Sequence, residues 1–535
     1  MTRATACEEL AVDVLGPEID PADLATQSLI GLGGDSILAM RLAALVQERL
    51  GVRIPVASLL GDAPLASVLA DHATAAAAES AHPDTDPPRS GDGDTPTRAQ
   101  RGMWINERVT GGAPYNLVFL CFVERGRLDP SVLERVLAAT VAHHEGLRTV
   151  FRQRSEGIVR EVLTAATPEF AAVGSDVPVG DFEEHARQVA ADFGGKPFDV
   201  SAAPALRFLL LTHPSGRQAL VLAAHHMILD GWAVGLLLRE MVARYDRLER
   251  GAPEPAPGPG VPMRVLLRHE EALRTGGAWD RQAELLSRHL DGVPSVLELP
   301  SDRQQPRVHD PAGARTTVDL GPAVSDAVTE RAAALGITPF AVLLGAFGLT
   351  LGRLTGVSRL LVGVPVIGRG TSELADLIAY ATNLVPVRID IDDDLTAADY
   401  LRSVHRSLLV SLDAADLPFE ELVSRLGIER STSSHPLVQV CFGMHDQLVP
   451  ERIATDSLRV RVEERHGGGS QFDLSVLIGR REPSLSGYAE YSTAVWNEVE
   501  AAAFVADLGA AAEQLAAATE PATRLADVRC LPASG

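Results

Sequence analysis

A chain of 535 residues is too long for a single core and sets an expectation of three or four compact units. Its 48 basic residues against 71 acidic ones leave a net charge of -23, which argues against nucleic acid or an anionic membrane as the main partner. The cysteines Cys7, Cys121, Cys441 and Cys530 show no Cys-x-x-Cys spacing, so neither a zinc site nor a disulfide framework is indicated, no metal is expected, and a reducing cytoplasm is the simpler setting.

The N-terminus carries Glu8, Glu9 and Asp13 in place of a basic flank and an apolar core, so no secretory signal is expected there. Helical periodicity near 5–15, 36–50 and 64–78 predicts a small helical bundle. Inside it, Leu32-Gly33-Gly34-Asp35-Ser36-Ile37 sets a serine just after a flexible turn. Ile37, Leu38, Met40, Leu42, Leu45 and Val46 then recur on one side, with Arg41, Gln47 and Glu48 on the other, so Ser36 lies at or next to a helix N-terminus. The amides and dipole at such an end favour an anionic group such as a phosphodiester. An ordinary turn capped by Asp35 or Ser36 fits the same residues. A nucleotide-binding loop does not, because no strand precedes Gly31 and the glycine spacing is wrong. From Glu79 to Pro96, prolines, glycines and aspartates crowd into a semi-extended linker.

Beyond the linker, strands alternate with helices. Leu117 to Val123 is a predicted strand, and Asp129-Pro130 caps a helix bearing Leu133, Val136, Leu137, Thr140 and Val141 on one face. Strands follow at Ala205 to Leu211 and Gln218 to Ala224, and the second runs into His225-His226-Met227-Ile228-Leu229-Asp230-Gly231. Two imidazoles thus stand at the end of a buried strand, with Asp230-Gly231 opening a helix near Trp232, itself expected as core packing. Histidine exchanges protons near neutral pH, which suits general acid-base work in a cleft. On those residues alone, an acyl-transfer site and a polar strand end fit equally.

A proline-rich stretch from Pro253 to Pro262 predicts a surface loop. Helices are then expected over Val324 to Ala334, after Thr338, and from Glu498 to Ala518; strands are expected near 360–366, 384–391, 437–442 and 472–477. The apolar run Ile337 to Leu351 is short for a bilayer and broken by Pro339, Gly345 and Gly348, so it predicts a buried helix. The aspartates at 390, 392, 393 and 394 are expected as solvated turns. Mixed sheets with covering helices in both halves suit two similar lobes.

The serine and histidine motifs together resemble nonribosomal peptide synthetases, in which a small peptidyl carrier domain precedes a condensation domain. Further stretches resemble the condensation family in the same order: Thr97 to Trp104, His144 to Phe151, Tyr380 to Arg388, Asp416 to Val423 and His435 to Phe442. Ser28 to Leu32 departs from the aromatic-rich approach usual before the carrier serine. The resemblance implies an all-α four-helix carrier at 1–78, a linker at 79–96, and an α/β (α+β) condensation domain. Its two chloramphenicol-acetyltransferase-like lobes, at 97–270 and 271–535, would form a V.

The resemblance also implies roles. Ser36 matches the serine that receives 4'-phosphopantetheine, and His226 matches the second, catalytic histidine; His225 is then structural support. The aspartate matching Asp230 is held in this family by an arginine, for which Arg369 is the first candidate and Arg148 the second. Gly231 is expected to permit close backbone approach, and Asn383 to position the site, cap or serve as a polar core group. The intact histidine pair differs from heterocyclising relatives, the 380–388 segment differs from epimerising ones, and an L-residue or glycine is the expected donor. The expected activity is amide formation between a donor thioester and the amine of an acceptor on a downstream carrier, by a monomer. An adenylation domain and a phosphopantetheinyl transferase are expected partners, and Leu525 to Leu531 resembles the connector leading to an adenylation domain, so a fragment of a larger synthetase is expected. A stand-alone acyltransferase and a non-catalytic recruiting platform are the competing readings.

Overall fold

The computed structural model describes residues 3–16, 19–32, 34, 36–52, 54–61, 63–78, 95–109, 115–155, 157–202, 204–251, 260–300, 310–428, 434–444, 448–481, 483–520 and 522–528, with the backbone alone at 36, 37, 40, 41, 44, 47, 48, 57, 75–78 and 109. The linker expectation at 79–94, the loop at 252–259, Gly33, Asp35 and Cys530 lie outside the described residues.

The N-terminal unit is helical. Helices Arg3–Leu15, Ser36–Leu50, Val56–Leu59 and Leu65–Ala78 enclose a core of Cys7, Leu10, Leu24, Leu29, Leu42, Val46, Leu59 and Leu69. Leu409 and Leu412, from helix Ala397–Asp413 far along the chain, pack against that core, so the bundle sits on the larger unit.

The larger unit holds fourteen described strands: β1 (Asn116–Arg125), β2 (Thr149–Arg154), β3 (Gly157–Val162), β4 (Glu169–Gly174), β5 (Leu206–Thr212), β6 (Gln218–His225), β7 (Gly313–Asp319), β8 (Arg359–Val366), β9 (Asn383–Asp390), β10 (Val440–Met444), β11 (Arg452–Ala454), β12 (Arg459–Arg465), β13 (Leu474–Arg481) and β14 (Ser484–Ser492). They form two six-stranded sheets, ordered β11-β12-β1-β6-β5-β4 and β7-β14-β13-β10-β8-β9, plus the hairpin β2-β3.

Strand alternation sorts the side chains of β1 onto two faces. Val118, Leu120 and Phe122 meet Phe182, Ala186 and Ala190 of helix Phe182–Gly194. Phe119 and Cys121 meet the opposite layer, built by helices Pro130–His143 and Gly231–Glu249. Covered on both faces, β6 is buried along its whole length, and after Gln218 it reads as an unbroken apolar run from Ala219 to Ala224 ahead of His225. In the second sheet, helix Pro339–Thr355 is buried from Ala341 to Gly352, with the Thr338 hydroxyl accepting from the Ala341 amide at 3.2 Å. Among the described residues no single helix is long and apolar enough to cross a membrane.

The two sheets do not divide the chain at 271. β12 pairs antiparallel with β1, Leu120 opposite Glu463 and Phe122 opposite Arg461, so residues 452–465 complete the first sheet although they follow β7 to β10 in the chain. The physical reason is the long apolar β1, whose second edge would otherwise present unpaired amides and carbonyls. Helices Ala397–Asp413, Arg264–Thr275 and Ala278–His289 also lie outside the elements expected from sequence.

Phe347 is fully buried between Phe442 and Phe504, with ring centroids 5.1 and 5.8 Å away. Phe347→Ala is expected to destabilise the second-sheet core by about 3–5 kcal/mol, read as a lower urea midpoint at unchanged slope.

Candidate active site

The histidine motif is shaped by its backbone. β6 ends at His225, the His226 amide donates to the Tyr115 carbonyl at 2.7 Å, and Asp230 opens helix Gly231–Glu249 by accepting from the Ala233 amide at 2.9 Å. The turn between them aims the two imidazoles differently. His225 is buried; its Nδ1 accepts from the Met227 amide at 3.1 Å, so its Nε2 carries the proton and donates to Glu107 at 3.2 Å. His226 has the opposite tautomer, because its Nδ1 lies 2.6 Å from the Leu229 carbonyl, which can only accept. Its Nε2 therefore carries the lone pair.

Burial, which outweighs the opposing pull of the Leu229 carbonyl and of Asp230, holds the His226 pKa below the ordinary histidine value. The ring is neutral at pH 7. Tyr380 meets it edge-on with centroids 5.1 Å apart.

His226 lines a cavity of about 680 Å³ between the two sheets, within the range of small-molecule sites. Phe119 contributes from the first sheet and Tyr115 from just before it, Val364 and Cys441 from the second, and Ile54, Pro55, Val56 and Leu60 of the helical bundle border the same space.

Asp230 is fully buried and joins the two halves of this cavity. Its Oδ2 accepts from Arg369 Nη1 at 2.7 Å, its Oδ1 from Arg369 Nη2 at 3.1 Å, and Oδ2 also from the Ala381 and Thr382 amides at 2.9 and 3.1 Å. Arg369 Nη2 further donates to the carbonyls of Leu377 and Ala379. Although burial pushes the carboxyl pKa upward, the Arg369 charge and these bonds hold it below the usual carboxylate range.

Arg369 is thus the partner of Asp230, and the second candidate, Arg148, is not: its guanidinium donates to the Leu163 carbonyl at the end of β3. Gly231 also needs correction. A side chain there would meet only Leu448 at 3.8 Å, whereas the close approach falls on Gly235, where an added Cβ would lie 1.9 Å from the Leu448 carbonyl oxygen. Gly368, beside Arg369, is equally obligatory, with the Ala381 carbonyl oxygen 1.9 Å away. Asn383 borders the cavity, and its amide group ties the carbonyls of Ala415 and Leu417 and the Phe419 amide into one turn. Trp232 also borders the cavity and donates Nε1–H to the Ala375 carbonyl at 2.8 Å. Sequence reasoning missed Glu107, Tyr115 and Tyr380; the last lies in a motif that was singled out without a role.

Ser36 opens the 15-residue helix Ser36–Leu50. The turn before it is tight: the Gly34 amide donates to the Leu29 carbonyl at 2.8 Å, and an added Cβ on Gly34 would lie 2.6 Å from the Leu29 side chain. A serine fixed at a helix start fits a phosphodiester-linked group.

Arg369→Ala leaves the Asp230 carboxylate buried without its countercharge. It is expected to cost about 3–5 kcal/mol, read by denaturant unfolding. Because the folded Asp230 pKa is depressed, its stabilising contribution is fully present above the unfolded value of about 3.9 and is lost as pH falls through the lower folded value. The acid arm of wild-type unfolding should therefore weaken in the variant; an unchanged acid arm contradicts the assignment.

The family model described as the condensation domain matches residues 95–534, and that of the phosphopantetheine attachment site matches residues 7–73. Phosphinothricin tripeptide synthetase PhsB of Streptomyces viridochromogenes is 31% identical over 507 residues, covering 92% of this chain and 41% of its own length. Chondramide synthase cmdD of Chondromyces crocatus is 30% identical over 446 residues, covering 81% of this chain and 11% of its own length. The chain thus spans about two fifths or less of these relatives. Among solved structures, the X-domain from teicoplanin biosynthesis superposes with a TM-score of 0.73 at 23% identity, covering 83% of this chain and 98% of that one. The first condensation domain of the calcium-dependent antibiotic synthetase gives 0.67 at 21%, covering 82% and 99%. The two-sheet fold, the cavity between the sheets and the two matched models agree: the chain belongs to the condensation-domain family of nonribosomal peptide synthetases, with a phosphopantetheine-carrying unit ahead of the condensation domain.

Proposed function

We propose that the chain forms an amide bond between an acyl group held at Ser36 and the amine of an acceptor thioester delivered by a second carrier. The observation that carries this reading is the exposed lone pair of His226 Nε2 in a cavity that the helical bundle itself borders. 4'-Phosphopantetheine on Ser36 supplies the thiol that holds the acyl group as a thioester.

The chain's residues then do two things. The walls hold amine and carbonyl in line, a contribution of roughly 7–11 kcal/mol in well-oriented reactions. His226 Nε2 accepts a hydrogen bond from the neutral amine, aims its lone pair and takes its proton, a contribution on the order of 10²- to 10⁴-fold in rate. As the C–N bond forms and the thioester C–S bond opens, that proton passes on to the departing sulfur. His225 keeps β6 and the turn in register through Glu107, and Asp230 with Arg369 holds the loop that carries Tyr380 against the His226 ring. The adenylation domain that would load Ser36, the transferase that would modify it and the downstream acceptor carrier are the partners this reading requires.

His226→Ala is expected to slow dipeptide formation between two loaded carriers by about 10² or more, followed by product mass, with the fold retained; an unchanged rate would support a non-catalytic platform. Ser36→Ala should abolish the mass increase produced by coenzyme A and a phosphopantetheinyl transferase. Since the His226 pKa is depressed, the acid limb that belongs to His226, told apart from the ionisation of the acceptor amine by comparing acceptors of different amine basicity, should lie below pH ~6.5; a limb above that value that does not move with the amine contradicts the neutral-imidazole role.

A further inference from the structure

The wall of the cavity formed by the second sheet carries charge that the amide-forming step does not use. Arg315 of β7 donates Nε–H to Glu490 Oε2 of β14 at 3.0 Å and Nη2–H to Glu464 Oε1 of β12 at 3.1 Å. Glu464 Oε1 also accepts from the Tyr488 hydroxyl at 2.7 Å, and the Arg315 guanidinium lies 3.7 Å over the Tyr488 ring. His466 adds no charge at neutral pH: its Nε2 carries the proton toward the Gly469 carbonyl at 2.9 Å, and burial holds its pKa below the ordinary histidine value against the pull of Glu490. Glu464 and Glu490 thus both bind the Arg315 guanidinium.

Glu490 is held from one side. Every bond that Glu490 makes, to Arg315 and to His466 at 3.4 Å, runs through Oε2. Its Oε1 has no partner among the described residues, and the side chain borders the cavity. A carboxylate oxygen that borders the cavity can accept from a ligand donor, and a cationic donor gives the stronger bond.

We propose that Glu490 is a specificity-determining residue that accepts a hydrogen bond from a cationic group, an ammonium or guanidinium, on the side chain of one of the two aminoacyl substrates. This rests on the amide-forming reading given above and adds to it the chemical class of a substrate. Arg315 and Tyr488 fix the carboxylate, and Oε1 is the contact point. A basic side chain fits the observation in either substrate, donor or acceptor, and the two are separated by experiment.

The test uses the full chain with Ser36 loaded. In the first arm, a neutral donor is offered lysyl and norleucyl acceptor thioesters in competition; in the second, lysyl and norleucyl donors are compared with one neutral acceptor. Wild-type protein should favour lysyl over norleucyl by roughly tenfold or more in one arm, the size of effect expected for a charge-assisted hydrogen bond. Glu490→Gln should reduce that ratio to near unity. Absence of a preference in both arms overturns the proposal while leaving amide formation intact, provided neutral pairs still condense in a manner that depends on His226. Equal slowing of lysyl and norleucyl substrates by Glu490→Gln also overturns it, since that pattern marks a structural role. Calorimetric binding of lysyl- and norleucyl-pantetheine to wild-type protein decides the point without a variant and without turnover: tighter lysyl binding supports the proposal, and equal binding overturns it.

Discussion

The ion pair between Asp230 and Arg369 is the constraint on which the site depends. A carboxylate removed from water is tolerated only when donors replace its hydration, and here a guanidinium, three backbone amides and the Thr382 hydroxyl do so. All of these but the Ala233 amide come from residues 369–382, whereas Asp230 begins a helix packed on the first sheet. The bond that satisfies the buried charge is therefore the same bond that fixes the spacing of the cavity walls. It also holds Tyr380 edge-on to His226, so the electrostatics of one residue set the steric surroundings of another.

Within that frame, adjacent histidines reach opposite chemical states through backbone geometry alone. An amide pointing at His225 Nδ1 and a carbonyl facing His226 Nδ1 decide which ring nitrogen bears hydrogen in each. One ring is committed to a carboxylate behind the strand, and the other offers its lone pair to the cavity. A motif with two identical side chains thus divides into a support and a reactive group without a difference in residue type.

Much of this was legible in the sequence, for reasons that can be named. The apolar run 219–224, the Asp-Gly turn at 230–231 and the Thr338 cap are local signals, and each determines its own neighbourhood. The pairing of Arg369 with Asp230 spans 139 residues and was legible only through the family resemblance. Arg148, the second candidate, lies inside the 144–151 stretch, and its guanidinium is claimed by a carbonyl at the end of its own hairpin. The glycine at 231 drew notice because it neighbours the aspartate, whereas the backbone contact that forbids a side chain occurs one helical turn later, at Gly235. Two signals were present and unused: the alternation Arg459-Val460-Arg461-Val462 marks a strand, and Leu401, Val404 and Leu408 mark a helix face. The Arg315, Glu464, Tyr488 and Glu490 cluster had no such signal, because β7 and β14 come together by pairing in the second sheet and Glu464 reaches them from β12 of the first.

The return of β12 to the first sheet has a consequence for how such enzymes can be recombined. A cut between the lobes at any point from 271 to 451 separates β1 from the strand that closes its edge, leaving the Val118–Arg125 edge open to pairing with another chain. Exchange of the first lobe alone is self-defeating unless residues 452–465 travel with it. The smallest interchangeable cassette is consequently the complete pair of lobes, with crossover points placed outside both sheets.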